Sequence, residues 1–276
     1  MIINIVIGKN SNLSLQLKNA IDNIYLISTL NIVEEFEKIN FNLYDTVNII
    51  FNQFQASTKL YNLDKPIEYI NRTINSTAVA LDYIKVNKIK VNKIIYTSSS
   101  SVYGDNTFCS ENDIVQPLSL HASLKISNER LIELFAVENG IDYTISRVFN
   151  MYGGDDNFSI ISKIINAYKN DKELSLINNG EAIRDFIHID DVVNIYKELL
   201  IKKDVKILNI GAGQSKSILF IIDFLRQNDI FLKTASINRK ELKVSICNTD
   251  KLKSITSNLK FKNVEDFLLS EIKDCK

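Results

Sequence analysis

Over the first 150 residues, short β-branched runs alternate with longer stretches of helical periodicity, and this alternation restricts the fold most. "IINIVIG" (2–8), "NIYLIS" (23–28), "TVNIIF" (46–51), "KIIYTSS" (93–99) and "DYTISRVF" (142–149) have the length and composition of strands. Between them, "LSLQLKNAI" and the segments 67–87 and 124–139 place apolar residues at helical spacing. Strands that alternate with helices imply an α/β fold with a doubly wound parallel sheet covered on both faces. In such a sheet, ligands sit beyond the carboxyl ends of the strands.

Three of those strand ends carry the informative residues: "GKNSNLS" (8–14), "TSSSSVYG" (97–104) and "RVFNMYGG" (147–154). The 124–139 helix starts beside them, and its first turn carries His121 and Lys125, four residues apart and so on one helical face. His121 reads either as an acid/base tuned by Lys125 or as a polar residue at a helix start. Glycine is scarce, with 8 residues where ordinary usage would supply about 19. Each is therefore expected where the backbone requires it, and Gly140 reads as the end of the helix that bears Lys125.

Composition narrows the class. Lys+Arg and Asp+Glu are both 33, which leaves no basic footprint for a nucleic-acid partner. Cys109, Cys247 and Cys275 are far apart and odd in number, so no disulfide framework or metal spacing follows and a reducing cytoplasm fits best. No apolar run reaches the ~18 residues of a membrane span, and "MIINIVIG" lacks the basic start of a signal peptide. The expectation is a soluble cytoplasmic chain with no membrane partner and no metal.

Taken together, "VNKIIYTSSSSVYGD", "SRVFNMYGG", "NNGEAIRDFIHIDDVV" and "LNIGAG" followed by "SI" resemble the extended short-chain dehydrogenase/reductases, in their nucleotide-sugar epimerase/dehydratase/reductase branch. The resemblance implies a Rossmann-like domain over 1–154 plus 184–208 and a smaller C-terminal substrate-binding lobe over 155–183 plus 209–276. It implies NADP or NAD as cofactor, a nucleoside diphosphate sugar as substrate, and 4-keto reduction or epimerisation of that sugar in cell-surface polysaccharide biosynthesis. A homodimer formed through the 67–87 and 124–139 helices is also implied.

By the same resemblance Ser99 is the catalytic serine, Ser100 lies beside the substrate, and Asn150, Arg184 and Arg239 hold the diphosphate. Gly8, Ser11, Asn12, Leu13 and Ser28 line the cofactor, and Lys125 binds its ribose. Three departures stand out. Ser11 and Ser14 replace the second and third glycines of the pyrophosphate turn, though their hydroxyls would be able to donate to a phosphate. Ser28 stands where an acid would grip a ribose 2′-hydroxyl. Most consequentially, "HASLK" puts His121 in place of the tyrosine of Tyr-x-x-x-Lys. An imidazole starts near pKa 6.5 and is pushed toward neutrality by a nearby lysine. Two further readings follow from these departures: a catalytically silent nucleotide-sugar-binding homologue, and a non-redox lyase or isomerase with His121 as base. For Arg184 the plain alternative is an ion pair with Asp185, and His188 is expected to be structural beside a helix start capped by Asp190.

Overall fold

The β-branched runs form the strands and the periodic stretches form the helices that cover them. The computed structural model describes residues 1–53, 65–256 and 259–273; Cys275 lies outside them. The chain divides into two units. Unit 1 comprises Met1–Val102, Pro117–Arg147 and Val193–Leu208, and unit 2 comprises Tyr103–Gln116, Val148–Val192 and Asn209–Lys276.

In the first, β1 (Ile2–Ile7), α1 (Asn12–Ala20), β2 (Ile24–Ile27), α2 (Ile32–Glu37), β3 (Thr46–Phe51), α3 (Pro66–Ile70), α4 (Ser76–Val86), β4 (Val91–Ser99), α5 (Leu120–Glu138) and β6 (Asp142–Val148) build the predicted α/β layer structure. The sheet order is β10-β6-β4-β3-β1-β2, with β10 spanning Ile207–Ile210. β1 pairs in parallel with both β2 and β3. The chain therefore leaves β1 in one direction for β2 and in the other for β3, so the topological switch point lies at the carboxyl ends of β1 and β3. β1 is buried along nearly its whole length and the edge strand β2 only at Ile27, as burial on both faces of the central strands requires. Ile5, Ile7, Phe36, Ile49, Phe51 and Ile94 pack in one apolar core.

The 67–87 helix forms as α3 and α4 joined by a π turn over Asn71–Asn75, where Thr73 donates its hydroxyl to the Tyr69 carbonyl at 2.9 Å. One extra residue per turn widens the helix at that point. α5 begins at Leu120, a turn before the apolar pattern suggests, because Ser119 accepts a hydrogen bond from the Ala122 amide at 3.2 Å. Gly140, at φ 63°, follows the other end of α5.

The second unit holds β5 (Phe108–Cys109), β7 (Asn150–Tyr152), α6 (Ile160–Lys169), β8 (Leu174–Ile177), β9 (Ile183–His188), β11 (Ser215–Ser217), α8 (Ile218–Gln227), β12 (Thr234–Ile237), β13 (Val244–Cys247), α9 (Asp250–Ile255) and α10 (Val264–Lys273), together with the first turn of α7 (Ile189–Ile201). Its main sheet runs β11-β9-β13-β5, and β7 also pairs with β9. Fully buried Asp185 accepts hydrogen bonds from the amides of Ala212 and Gly213, both at 2.9 Å, and so ties β9 to the turn after β10. Gly211 is required there, because a Cβ would stand 2.6 Å from that of Cys247.

Lys93 on β4 is 1% exposed and donates to Asp142 at 2.7 Å and to the Lys202 carbonyl. Removing Lys93 takes a buried donor from both acceptors, although Asp142 keeps Lys206 at 3.1 Å. Lys93→Ala is expected to destabilise the protein by about 1–3 kcal/mol, read from its urea midpoint, with retention of the wild-type midpoint excluding a structural role for Lys93.

Candidate active site and cofactor loop

β1 ends at Gly8 because only glycine fits there: φ is 118°, and a Cβ would stand 2.2 Å from the Asn52 carbonyl oxygen. α1 follows, with Ser11 as its N-cap accepting from the Ser14 amide at 3.2 Å. Ser14 donates its hydroxyl to the Gly8 carbonyl at 2.8 Å, and Asn52 Nδ2 donates to both serines, at 2.6 Å to Ser11 and 2.8 Å to Ser14. The expectation that both hydroxyls would be able to donate to a phosphate is therefore corrected for Ser14, whose proton is committed to Gly8 in a fully buried position. The two serines and Asn52 staple the turn internally. A close-approach glycine at the start of a nine-residue helix remains a fit cradle for the pyrophosphate of a dinucleotide. Asn12 and Leu13 form the first turn of α1, with Leu13 buried. Ser28 follows β2, and its hydroxyl accepts from the Leu30 amide at 3.2 Å.

At the end of β4, Ser99 Oγ accepts from the Ser101 amide at 3.2 Å, and Ser100 opens a single 3-10 turn. Ser101 Oγ lies 3.5 Å from His121 Nδ1, which brings the serine corner to the first turn of α5. Lys125 donates to the Thr97 carbonyl at 2.7 Å and to the Gln53 carbonyl at 3.4 Å, while its ammonium stands 5.1 Å from the centre of the Tyr96 ring. Burial lowers the Lys125 pKa to about 8, against the pull of Glu129. Burial first, and the Lys125 charge second, lower the His121 pKa to about 4. The ring is thus uncharged at neutral pH, the direction the sequence implies, but desolvation rather than the lysine is the larger cause. Behind Lys125, Glu129 pairs with Arg147 at 2.8 Å and accepts the Ser98 hydroxyl.

The second unit carries the remaining candidates. Asn150 Nδ2 donates to the Asp185 carbonyl at 3.0 Å. Arg184 does not pair with Asp185. Its guanidinium donates to the carbonyls of Ile183 at 2.9 Å and Leu242 at 2.5 Å, and meets Glu241 at 3.4 Å. Asp185 points instead into the fold, because alternate residues of a strand face opposite sides. Arg239 is exposed on the same 239–243 segment, where Asn178 donates to its carbonyl at 2.7 Å. The structure thus brings Arg184 of β9 against the segment that carries Arg239. The start of α7 is capped by His188, whose Nδ1 accepts from the Asp190 amide at 3.1 Å, so the expected Asp190 cap is corrected.

Sequence reasoning missed Ser101, Asn52 and Gln53. Ser101 is hidden in a run of four serines, where no pattern tells one hydroxyl from the next. Asn52 and Gln53 follow β3 without a motif, although their position at the switch point marks them.

An unfolded histidine protonates near 6.5 and His121 near 4. Between these values the unfolded chain binds more protons, so the His121 contribution is present above about 6.5 and is lost as pH falls toward 4. From pH 7 to pH 5, His121→Asn should lose about 1–2 kcal/mol less stability than the wild type; equal losses by urea titration would show that the ring is not held neutral.

Residues 20–211 match the model of the NAD dependent epimerase/dehydratase family, a span that begins after the serine-stapled turn. Protein CapI of Staphylococcus aureus is 30% identical over 181 residues, which are 60% of this chain and 53% of that protein. A putative UDP-glucose 4-epimerase of Methanocaldococcus jannaschii is 27% identical over 197 residues, 69% of this chain and 63% of that one. The chain thus spans about half to two thirds of the length of the curated relatives it matches. The solved UDP-glucuronic acid 4-epimerase of Bacillus cereus, in complex with UDP-glucuronic acid and NAD, shares the fold with a TM-score of 0.84 at 21% identity, covering 100% of this chain and 99% of that one. With more than half of its residues matched by the family model, this chain belongs to the NAD dependent epimerase/dehydratase family.

Proposed function

We propose that the protein epimerises a nucleoside diphosphate sugar with a bound nicotinamide dinucleotide, using neutral His121 as the proton acceptor. The observation that carries this reading is a half-buried imidazole on the first turn of α5, 3.5 Å from the Ser101 hydroxyl and beside Lys125, where burial lowers its pKa. A nicotinamide, when bound, supplies the hydride acceptor and donor. The chain's own residues supply the proton path. In this reading neutral His121 takes the proton of a sugar hydroxyl, Ser99 and Ser101 hydrogen-bond the sugar oxygen, and the nearby ammonium stabilises negative charge as it develops there.

Proton balance favours epimerisation over net keto reduction. With its pKa lowered by burial, the His121 imidazole is largely unprotonated at pH 7. A net reduction would have to draw on the small protonated fraction. An epimerisation returns the proton that His121 has just accepted, so the cycle draws no proton from solution. The names of the relatives, which include UDP-glucose and UDP-glucuronate 4-epimerases, support a UDP sugar as substrate.

On the substrate side, exposed Arg239 is the better direct phosphate partner, and Arg184 holds the 239–243 segment in place with Asn150 nearby on β7. NAD is the cofactor named in the solved relatives. Ser28 offers no carboxylate to repel a 2′-phosphate, so NADP is expected to bind with comparable affinity. A homodimer through α4 and α5 is part of this reading, and exposed Val86, Leu134 and Val137 on those helices support it. The alternative is a silent sugar-nucleotide-binding homologue. It is favoured by the cofactor turn, whose polar groups are satisfied by Ser11, Ser14 and Asn52.

Three measurements test these assignments. His121→Ala should lower kcat and kcat/KM together by ~10²–10⁴-fold on a UDP sugar, and base-dependent turnover in the wild type should persist to about pH 5, since the neutral form is lost only as pH falls through about 4. A wild type that binds a UDP sugar and a dinucleotide yet never interconverts sugars would establish the silent reading. Arg239→Ala should weaken UDP binding by about 1.5–3 kcal/mol by calorimetry, and equal affinity would remove Arg239 from the site.

A further inference from the structure

A small cavity of about 10 Å³ lies against His121 in the first unit, lined also by Gln53, Tyr69, Tyr96, Lys125 and Asn128. That volume is at the lower limit for one water molecule. Two amide oxygens of residues on its wall, Gln53 Oε1 and Asn128 Oδ1, meet no donor among the described residues, although the two residues are only 4% and 2% exposed.

The Gln53 amide cannot be turned over to relieve this. Its Nε2 donates to Ser76 Oγ at 3.2 Å and Thr77 Oγ1 at 2.8 Å. Each hydroxyl has one proton, and both are already given to backbone carbonyls: Ser76 to Arg72 and Thr73 at 3.0 and 3.1 Å, Thr77 to Thr73 at 3.0 Å. Both hydroxyls can therefore only accept, which leaves the amide oxygen facing away from them. Asn128 has its other side-chain atom engaged with Tyr96. On the same wall, Lys125 uses two of its three N–H groups on Thr97 and Gln53 carbonyls.

We propose that this cavity binds one internal water, which accepts from the third Lys125 N–H and donates to Gln53 Oε1 and Asn128 Oδ1, making Gln53 and Asn128 positioning residues for the Lys125 charge. A cation is excluded by that ammonium, and an apolar occupant by the two amide oxygens. The water has two protons for the two acceptors and a lone pair for the one donor, so all three groups are satisfied. It also restores part of the solvation that Lys125 loses in its buried place. The other titratable groups around the ammonium are His121 and Glu129 on α5, Tyr96 on β4 and Tyr69 on α3. Of these, Glu129 supports the charge.

The test is a crystal structure of the full chain at a resolution that shows buried waters, together with an NMR titration of lysine ¹³Cε signals in which Lys125 is assigned from Lys125→Met. Both are done without substrate, so they stand apart from the proposed activity. Expected are density bridging the three atoms and, in Gln53→Met and in Asn128→Leu, a Lys125 midpoint lower than the wild type by about one pH unit, as a less solvated ammonium ionises more readily. Two variants are used so that one failing to fold does not end the experiment. Absence of the bridging density in the wild type overturns the proposal, and so does an unchanged Lys125 midpoint in a folded variant.

Discussion

The site depends on one half-buried lysine. Lys125 sends its charge into the end of β4, where the Thr97 carbonyl accepts it, and beneath the switch point, where the Gln53 carbonyl does. That pair of bonds sets how α5 lies against the strands. Because α5 also carries His121, the placement of the imidazole beside Ser101 follows from where the lysine is anchored. Glu129, one turn further along, faces the same interior and is balanced by Arg147. Lys125 and Glu129 thus stand one turn apart on the inner side of α5, with His121 one turn before them.

The same burial decides the chemistry available. A tyrosine at this position would need the lysine to bring its pKa down from ~10. A histidine needs no help to be a base, and desolvation together with the lysine takes it well below its ordinary value. The replacement therefore changes the direction in which protons are easily moved: acceptance is ready at neutral pH, and unprompted donation is not. A reaction that takes and returns the same proton suits such a group better than one that consumes a proton from solution.

The cofactor turn shows a second substitution with its own internal logic. Where glycines would let a backbone approach, Ser14 uses its hydroxyl to close the turn on Gly8, and Asn52 holds both serines from the neighbouring strand end. The turn is rigid through side-chain bonds instead of being open through missing side chains. In the second unit Asp185 does comparable work: one buried carboxylate gathers two amides from the turn after β10, and its neighbour Arg184 is left to hold the 239–243 segment.

The α/β class, the parallel central strands and the family were readable from the sequence because they rest on local regularities: β-branched runs of the right length, helical spacing, and motifs such as "RDFIHIDD" whose residues are adjacent in the chain. The pairing of His121 with Lys125 was readable for the same reason, since four residues along a helix is a fixed geometry. What lay out of reach were partners chosen by distance in space. Whether Ser14 faces a phosphate or the Gly8 carbonyl depends on Asn52, 38 residues away. Whether Arg184 meets Asp185 or Glu241 depends on strand alternation and on a segment 57 residues further on. The strength of the His121 shift depends on how deeply α5 is packed, which is a property of the whole unit. Local periodicity and motif spacing determined the fold and the family, whereas hydrogen-bond partners and desolvation were decided only by the tertiary structure, because both are set by atoms that meet only once the chain has folded.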